Sequence, residues 1–281
     1  MTTLISELTK RLPDRWLAGA LGPGLLWLVL AVVAGALGHG RPFDTRRVAD
    51  LAQRAGELIN RRPAEAVVLG ALGIAAALLM SALARVFGSA ARAVWHGRWR
   101  GPAAPAGRWW AGVRARRAAR SLTRAGTTLP KAYLPTTPTW IGDRLQLADT
   151  RVDAQYGLSL ALVWPRLWQV LDADTRALVQ QARARVDLAS TLAGWSVCVL
   201  ALSALWWPAA VAGVVLLVAS WQRARTAADV FAATVESTVD VHHRALATAL
   251  GFSLVEGEPL SPEAADAIND QLDKGATPQP R

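Results

Sequence analysis

Three residues near the carboxyl end of the chain have the types and spacing of metal ligands. Glu236, Asp240 and His243 follow one another at four and three positions, so a helix places all three on one face. Carboxylate oxygens and imidazole nitrogens are ligands that zinc accepts. A fourth ligand is not evident, and a solvated face or an ion pair with Arg244 explains the same residues. We therefore predict no metal ion and no cofactor, with these three residues as the candidates for such a site.

No other pattern in the sequence indicates catalysis. The chain has no glycine-rich phosphate loop, no paired-cysteine zinc spacing and no nucleophile elbow. Its one cysteine, Cys198, lies inside an apolar run, where a small buried side chain is the expected role. We predict that the protein is not an enzyme. A membrane-embedded enzyme, with its active site assembled from scattered residues, is kept as a third hypothesis.

The chain contains long uncharged stretches, and these predict helices that cross a membrane. The chain has 281 residues, of which 52% are hydrophobic, and thirteen are tryptophan. A transmembrane helix needs ~20 apolar residues to cross a hydrocarbon core of ~30 Å. The uncharged runs 16–40 and 66–84 therefore each predict one span. A secretory signal peptide is the alternative for 16–40, although this run exceeds the usual ~7–15 apolar residues.

The third uncharged run, 188–221, predicts a helical hairpin rather than one span. Its 34 residues would form a helix of ~51 Å, which no usual tilt fits into a ~30 Å core. Pro208 is also unfavourable in the middle of a helix. We predict spans at 188–205 and 209–221 joined by an external turn at 206–208, with membrane-interface anchors at Trp206, Trp207 and Trp221. The predicted fold class is thus all-α with four transmembrane helices.

The distribution of arginine predicts the orientation. Residues 66–142 contain eleven Lys or Arg and no acidic residue, and cytoplasmic loops carry such an excess. The N-terminus (1–15), a basic module (85–187), and a helical stalk with a C-terminal helix (222–272) are then cytoplasmic, and the loop 41–65 is external. Residues 273–281 are predicted to be a disordered tail. Because Arg greatly outnumbers Lys, as in GC-rich genomes, we assign the protein to a bacterial inner membrane.

A tryptophan- and arginine-rich stretch, 107–126, predicts a helix lying on the membrane surface. As a helix it directs Trp109 and Trp110 one way and Arg114, Arg117 and Arg120 another. Cationic, tryptophan-bearing helices of this type bind anionic headgroups. Nucleic acid is the rival ligand of a basic run, but no nucleic-acid motif accompanies it, so we do not expect nucleic-acid binding.

The apolar stretch within 154–171 has two interpretations. Trp164 and Trp168 can anchor it to the inner membrane surface, or it can supply the core of a soluble module. The combination of "PTWIGDRLQLA", "YGLSLALVWPRLWQVL", a charged helix and an apolar hairpin resembles a family of uncharacterised multi-pass bacterial membrane proteins, over about 135–250. The resemblance implies this layout and no activity or site residue.

Charge and local patterns predict how the cytoplasmic parts are organised. Residues 85–187 carry seventeen basic and six acidic residues, whereas those from 222 onward carry five basic and nine acidic, so the two segments can pair with each other. An apolar stripe is predicted after residue 222, and helix caps are predicted at Asp172 or Asp174 and at Ser261.

These features together predict a non-catalytic membrane anchor or scaffold. It would present its basic module to an anionic lipid surface and to an unidentified protein partner, and it could form a homo-oligomer. An oligomerising membrane effector or pore is the alternative.

Overall fold

The computed structural model describes residues 14–97, 99, 101–126, 130–253 and 258–273. Of these residues 85% are helical and none lies in a strand, which confirms the all-α class for this part of the chain. The predicted N-terminal segment 1–15 and tail 273–281 lie outside the described residues except for 14, 15 and 273. The described α-helices are α1 (Asp14–Leu37), α2 (Thr45–Arg61), α3 (Pro63–Trp95), α4 (Ala104–Arg124), α5 (Trp140–Tyr156), α6 (Leu160–Val170), α7 (Ala173–Ala201), α8 (Pro208–Ala249) and α9 (Pro262–Leu272).

The chain divides into two compact units. The first, which we call the apolar unit, contains the described residues up to Ala91 together with Ser190–Trp221. The second, the charged unit, contains Arg92–Ala189 and the described residues from Gln222 onward. Helices α3, α7 and α8 each contribute residues to both units.

Small residues form the helix contacts of the apolar unit. A Cβ at Gly194 of α7 would overlap the carbonyl oxygen of Ala84 in α3, and one at Gly88 would lie 2.7 Å from the carbonyl oxygen of Ser190. A Cβ at Gly24 of α1 would lie 2.8 Å from the carbonyl carbon of Ala77. Glycine at these positions therefore lets the helix backbones approach closely.

Two helices are long and apolar enough to cross a membrane. One is α3, in which an 18-residue window has a mean hydropathy of 2.4. The other is α7 with the short 3-10 turn that follows it, Ala173–Ala204, in which such a window has a mean hydropathy of 1.5. They cover the predicted spans 66–84 and 188–205. The predicted total of four spans is not confirmed among the described residues.

The two remaining predicted spans, 16–40 and 209–221, fall in α1 and α8. Helix α1 has 24 residues and is uncharged from residue 16 to its end. In α8 the uncharged part is 208–222, and its helical residues rise only ~22 Å of the ~30 Å required. Arg223 and Arg225 then make the helix strongly polar, although it continues without a break to Ala249.

The turn of the predicted hairpin lies close to its expected place. Helix α7 ends at Ala201, a 3-10 turn follows at Leu202–Ala204, and Pro208 is the first residue of α8. The segment 41–65 lies at the same end of the apolar unit, because the indole N–H of Trp206 donates to the carbonyl oxygen of Pro42 at 2.9 Å. The sequence predicts this segment as a loop, but most of it forms α2.

The charged unit has a conventional hydrophobic core. Helices α5, α6, α8 and α9 and the segments flanking α6 and preceding α9 supply it with the buried residues Val152, Leu158, Val163, Leu167, Leu171, Val239, Leu246, Leu260, Ile268 and Leu272. The predicted stripe on α8 is confirmed at Val239 and Leu246. Asn269 of α9 joins the core helices to the turn after α5, because its Nδ2 donates to the carbonyl oxygen of Gly157 at 2.7 Å.

Local signals set the helix ends of the charged unit as expected. Ser261 caps α9 by accepting from the N–H of Ala264 at 3.2 Å, and Asp172 accepts from the N–H of Thr175 at 2.8 Å before α7. The backbone and hydroxyl of Thr175 also lower the pKa of Asp172. Pro165, expected to break the helix, lies inside α6 on its exposed side. We attribute this tolerance to water, which can satisfy the carbonyl group that loses its partner.

Candidate functional site

The face of α8 that carries Glu236, Asp240 and His243 packs against α5. Glu236 accepts from Arg144 Nη1 at 2.6 Å and from Arg151 Nη1 at 3.1 Å. Asp229, two helical turns earlier on α8, accepts from Arg144 Nε at 2.6 Å. These ion pairs confirm that the basic middle segment pairs with the acidic C-terminal segment.

Arg144 is the centre of this ionic cluster. Its side chain is 12% exposed, and it joins two carboxylates seven positions apart on α8. Burial opposes the charged guanidinium, but the hydrogen bonds and charges of Asp229 and Glu236 outweigh that effect and raise the pKa of Arg144. The group therefore stays charged at every physiological pH and fixes α5 against α8.

Asp240 and His243 contact the last residue of α5. The hydroxyl of Tyr156 donates to Asp240 Oδ1 at 2.8 Å, and the ring of Tyr156 stacks on His243 with a centroid distance of 4.4 Å. His243 Nδ1 lies 3.1 Å from the carbonyl oxygen of Val239, so the tautomer protonated at Nδ1 donates there.

The three metal-ligand candidates are therefore engaged with α5 rather than converging on a common point. Among the described residues no group of three His, Cys, Asp or Glu side chains is arranged to hold a metal ion. Glu236 is the partner of two arginines, and Asp240 binds a phenol. Sequence reasoning missed Arg144, Arg151 and Tyr156, because each is more than eighty positions from its partner on α8.

The environment of Tyr156 gives a testable titration. Burial and the hydrogen bond to Asp240 raise the pKa of Tyr156 to about 12. A raised folded-state pKa stabilises the fold below the ordinary value of ~10, and this contribution disappears as the pH rises through about 12. The chain has two tyrosines, so subtracting the tyrosinate absorbance of Tyr156→Phe from that of the native chain isolates this group.

We expect the isolated transition near pH 12. The matched control is Tyr133→Phe, which should leave that transition in place. A transition of Tyr156 at the ordinary value of ~10 would contradict the hydrogen bond to Asp240.

A second polar cluster organises the segment "PTTPTWIGDR" before and within α5. Asp143 Oδ1 accepts from the N–H groups of Thr136 and Thr137 at 2.9 and 2.7 Å. Its other oxygen lies 2.7 Å from Arg114 Nη1 of α4, and Arg114 also donates to the carbonyl oxygen of Thr137 at 2.9 Å. This cluster joins α4 to the start of α5. A pocket of about 170 Å³ opens beside it, and Tyr133, Gln146 and Thr150 are among its lining residues.

The predicted surface helix is α4, and its faces differ from the expectation. Gly107 and Ala111 form its buried side. Trp109, 63% exposed, shares the solvent face with Arg120 eleven positions on, so tryptophan and arginine are not on opposite faces. In the same way Trp110 precedes Arg117 by seven positions.

The predicted lipid-contact residues thus fall into three groups. Trp109, Trp110, Arg117 and Arg120 are exposed on one side of α4. Arg114 is ion-paired with Asp143, with 22% of its side chain exposed, which makes it a structural residue of the charged unit. Trp164 and Trp168 of α6 are half-buried against the core with their ring centroids 6.1 Å apart.

The core of the charged unit also decides between the two interpretations of residues 154–171. Val152 of α5 and Val163 and Leu167 of α6 are buried in it together with Leu158 between the two helices. The segment therefore supplies core residues. Any membrane contact by Trp164 or Trp168 is limited to their outer edges.

The predicted interface anchors lie in the apolar unit. Trp207 is 46% exposed, and its ring meets Phe43 edge-on with a centroid distance of 6.1 Å. Trp206 is half-buried and donates a hydrogen bond to Pro42, and Trp221 is half-buried at the carboxyl-terminal limit of the unit.

No protein-family model matches the chain, and no curated protein or solved structure is significantly similar to it.

Proposed function

We propose that this protein is an integral membrane anchor that holds a folded, charged helical unit at the cytoplasmic surface of a bacterial inner membrane. The observation that carries the proposal is the exposure of α3. Its most apolar 18-residue window has a mean hydropathy of 2.4, yet only 11% of that window is buried. The core helix of a water-soluble protein buries its apolar residues, whereas a helix surrounded by lipid leaves them exposed.

The other helices of the apolar unit also support lipid as the surrounding medium. Buried positions are occupied by small residues such as Ala77, Ala84, Ser190 and Ser196. Large apolar side chains point outward on each helix: Leu26 and Val29 on α1, Leu69, Leu72 and Leu79 on α3, Val197 on α7, and Val211, Val215 and Val218 on α8. Small residues inside and large apolar residues outside are typical of helix packing in lipid.

Four spans remain our proposal for this unit. Lipid-facing side chains on α1 and α8 extend the apolar surface beyond the two longest helices, and flanking tryptophans together with local bilayer thinning can accommodate a short span. The helix α2 and the turn at Trp206 and Trp207 share one end, as two external connections require. The arginines at 85–131 then favour the cytoplasm for the charged unit.

The exposed side of α4 is the proposed contact with anionic headgroups. It combines Trp109 and Trp110 with Arg116, Arg117, Arg120 and Arg124, and the helix contains no acidic residue. Each arginine near an anionic surface contributes about 1 kcal/mol, and tryptophan settles at the headgroup level. The remaining surface of the charged unit is available for a protein partner, so the work proposed is scaffolding.

Cysteine labelling in cells tests the anchor and its orientation together. The background is Cys198→Ala, which removes the one native thiol. We expect the full chain to stay in the membrane pellet after alkaline carbonate washing. A membrane-impermeant maleimide should label Gln53→Cys on intact cells but Arg120→Cys only after lysis.

Two results would overturn this proposal. One is release of the protein by carbonate, and the other is labelling of Arg120→Cys on intact cells. Unmodified Cys198→Ala is the labelling control.

An oligomeric pore is the second candidate function, favoured by one observation. A Cβ added at Gly70 or Gly73 on α3 would have no atom within 4 Å, so this side of the helix is smooth and open. A second copy of α3 can approach closely there. Dye leakage from liposomes that contain the purified protein, reduced by Gly70→Leu, would favour the pore over the scaffold.

A further inference from the structure

Helix α2 has an apolar face that the rest of the apolar unit covers only in part. Six non-polar residues at three- and four-residue spacing share one side, yet no residue of α2 is buried. Ile59 is 61% exposed and Val48 is also exposed, whereas Leu51 and Leu58 are half-buried. The face consists of Val48, Leu51, Ala52, Ala55, Leu58 and Ile59.

The other side of α2 is polar, and three of its arginines follow the boundary between the two sides. Asp50, Gln53 and Glu57 lie opposite the apolar face. Arg47, Arg54 and Arg61 recur every seven residues, so they form a line along one edge of it. Arg47 and Arg54 each precede a leucine of the apolar face by four positions, one helical turn, and long arginine side chains at such an edge reach phosphate groups.

The position of α2 in the apolar unit is fixed by several contacts. Arg47 Nη1 donates to the carbonyl oxygen of Ala36 near the end of α1 at 3.1 Å. Phe43, 71% exposed, precedes the helix and meets Trp207 edge-on. At the other end only Arg62, with φ −137° and ψ 65°, separates α2 from α3. The helix therefore lies where α1 ends and α3 begins, at the level of the tryptophan turn.

We propose that α2 lies on the lipid surface at this end of the apolar unit, with its apolar face in the acyl–headgroup boundary and with Arg54 and Arg61 of its arginine edge on lipid phosphates. The inference rests on the proposed membrane anchor and adds a lipid-binding element to it. Lipid is the occupant for three reasons. The exposed rings of Phe43 and Trp207 lie at the same end of the apolar unit as α2. Amphipathic helices and interfacial aromatic rings occupy the same depth in a bilayer, and the arginine edge is complementary to phosphate. The element would fix the depth of the apolar unit in the bilayer.

Collision accessibility of spin labels tests the proposal on the full-length chain. Single cysteines in the Cys198→Ala background carry a nitroxide, and the protein is reconstituted in phosphatidylethanolamine and phosphatidylglycerol vesicles. The labels are placed at Leu51→Cys and Leu58→Cys on the apolar face and at Asp50→Cys and Glu57→Cys on the polar face. We expect high oxygen and low nickel-chelate accessibility at the first pair and the reverse at the second.

A label at Leu72→Cys on α3 separates failure of this inference from failure of the anchor. If Leu72→Cys is oxygen-accessible while both faces of α2 are accessible to the nickel chelate, the lipid-binding helix is overturned and the anchor stands. If Leu72→Cys is itself open to the nickel chelate, the anchor fails as well. Dipolar broadening at Leu51→Cys with low accessibility to both reagents would show that a second copy covers the face, which also overturns the proposal.

Discussion

Gly194→Ala is expected to lower the free energy of unfolding of the apolar unit by about 2 kcal/mol, although alanine is the better helix former. A Cβ at this position would overlap the carbonyl oxygen of Ala84 and lie 2.8 Å from the backbone nitrogen of Gly88. Both groups belong to the backbone of α3, so no side-chain rotation relieves the overlap. The two helices must separate, and the contacts around Ser190 are lost with them.

The lone cysteine provides the measurement. Cys198 is 2% exposed and lies one helical turn after Gly194, so a thiol-reactive fluorogenic dye reports the unfolding of this unit on heating. The matched control is Gly73→Ala on α3, a helical glycine with nothing within 4 Å of its Cβ position. It should leave the midpoint unchanged or raise it. Equal midpoints for the two variants would contradict the close packing of α3 and α7.

Arg144→Met is expected to destabilise the packing of α5 on α8 by about 2–3 kcal/mol. The substitution keeps the apolar stem but removes two 2.6 Å ion pairs, and Glu236 is 19% exposed, so water only partly replaces the lost partner. Losing one partner of a fully buried pair costs about 3–5 kcal/mol. Asp229 is 57% exposed, which places this cluster below that range.

Arg151→Met is the matched control, since Arg151 binds the same carboxylate. Its side chain is 46% exposed and its one bond is 3.1 Å, so its loss should cost under about 1 kcal/mol. Hydrogen exchange of the amides of α5, measured by mass spectrometry, gives the opening free energy for both variants. If α5 has the same opening free energy in the Arg151 variant as in the Arg144 variant, Arg144 is not the central residue of the cluster.

These two expectations describe different kinds of stability in one chain. In the apolar unit the helix backbones touch at glycine, and many large apolar side chains are exposed, although Val199 and Leu202 are buried in a small cluster. The charged unit has a buried apolar core and an ionic cluster at its surface. This difference is the one that the proposed membrane anchor requires, because lipid and water favour different packing.

The sequence of α2 contains the local pattern of an amphipathic helix, but its mixed charges suggest a loop. Mixed arginines and acids are typical of an external loop, whereas the three- and four-residue spacing from Val48 to Ile59 is typical of an amphipathic helix. Such periodicity is local and can be recognised without a structure. How much of that face stays exposed, in contrast, depends on where the other helices of the apolar unit lie.

By itself the sequence determined the elements: the all-α class, the apolar helices, the turn before Pro208 and the cap at Ser261. These follow from neighbours within a few positions, because helix period, capping and hydrophobicity are local properties. Only the tertiary structure decided which distant residues contact one another. Glu236 meets Arg144 across 92 positions, and Gly194 meets Ala84 across more than a hundred. One sequence carries no mark of which distant residues a given face will contact, because many helix pairings satisfy the same pattern.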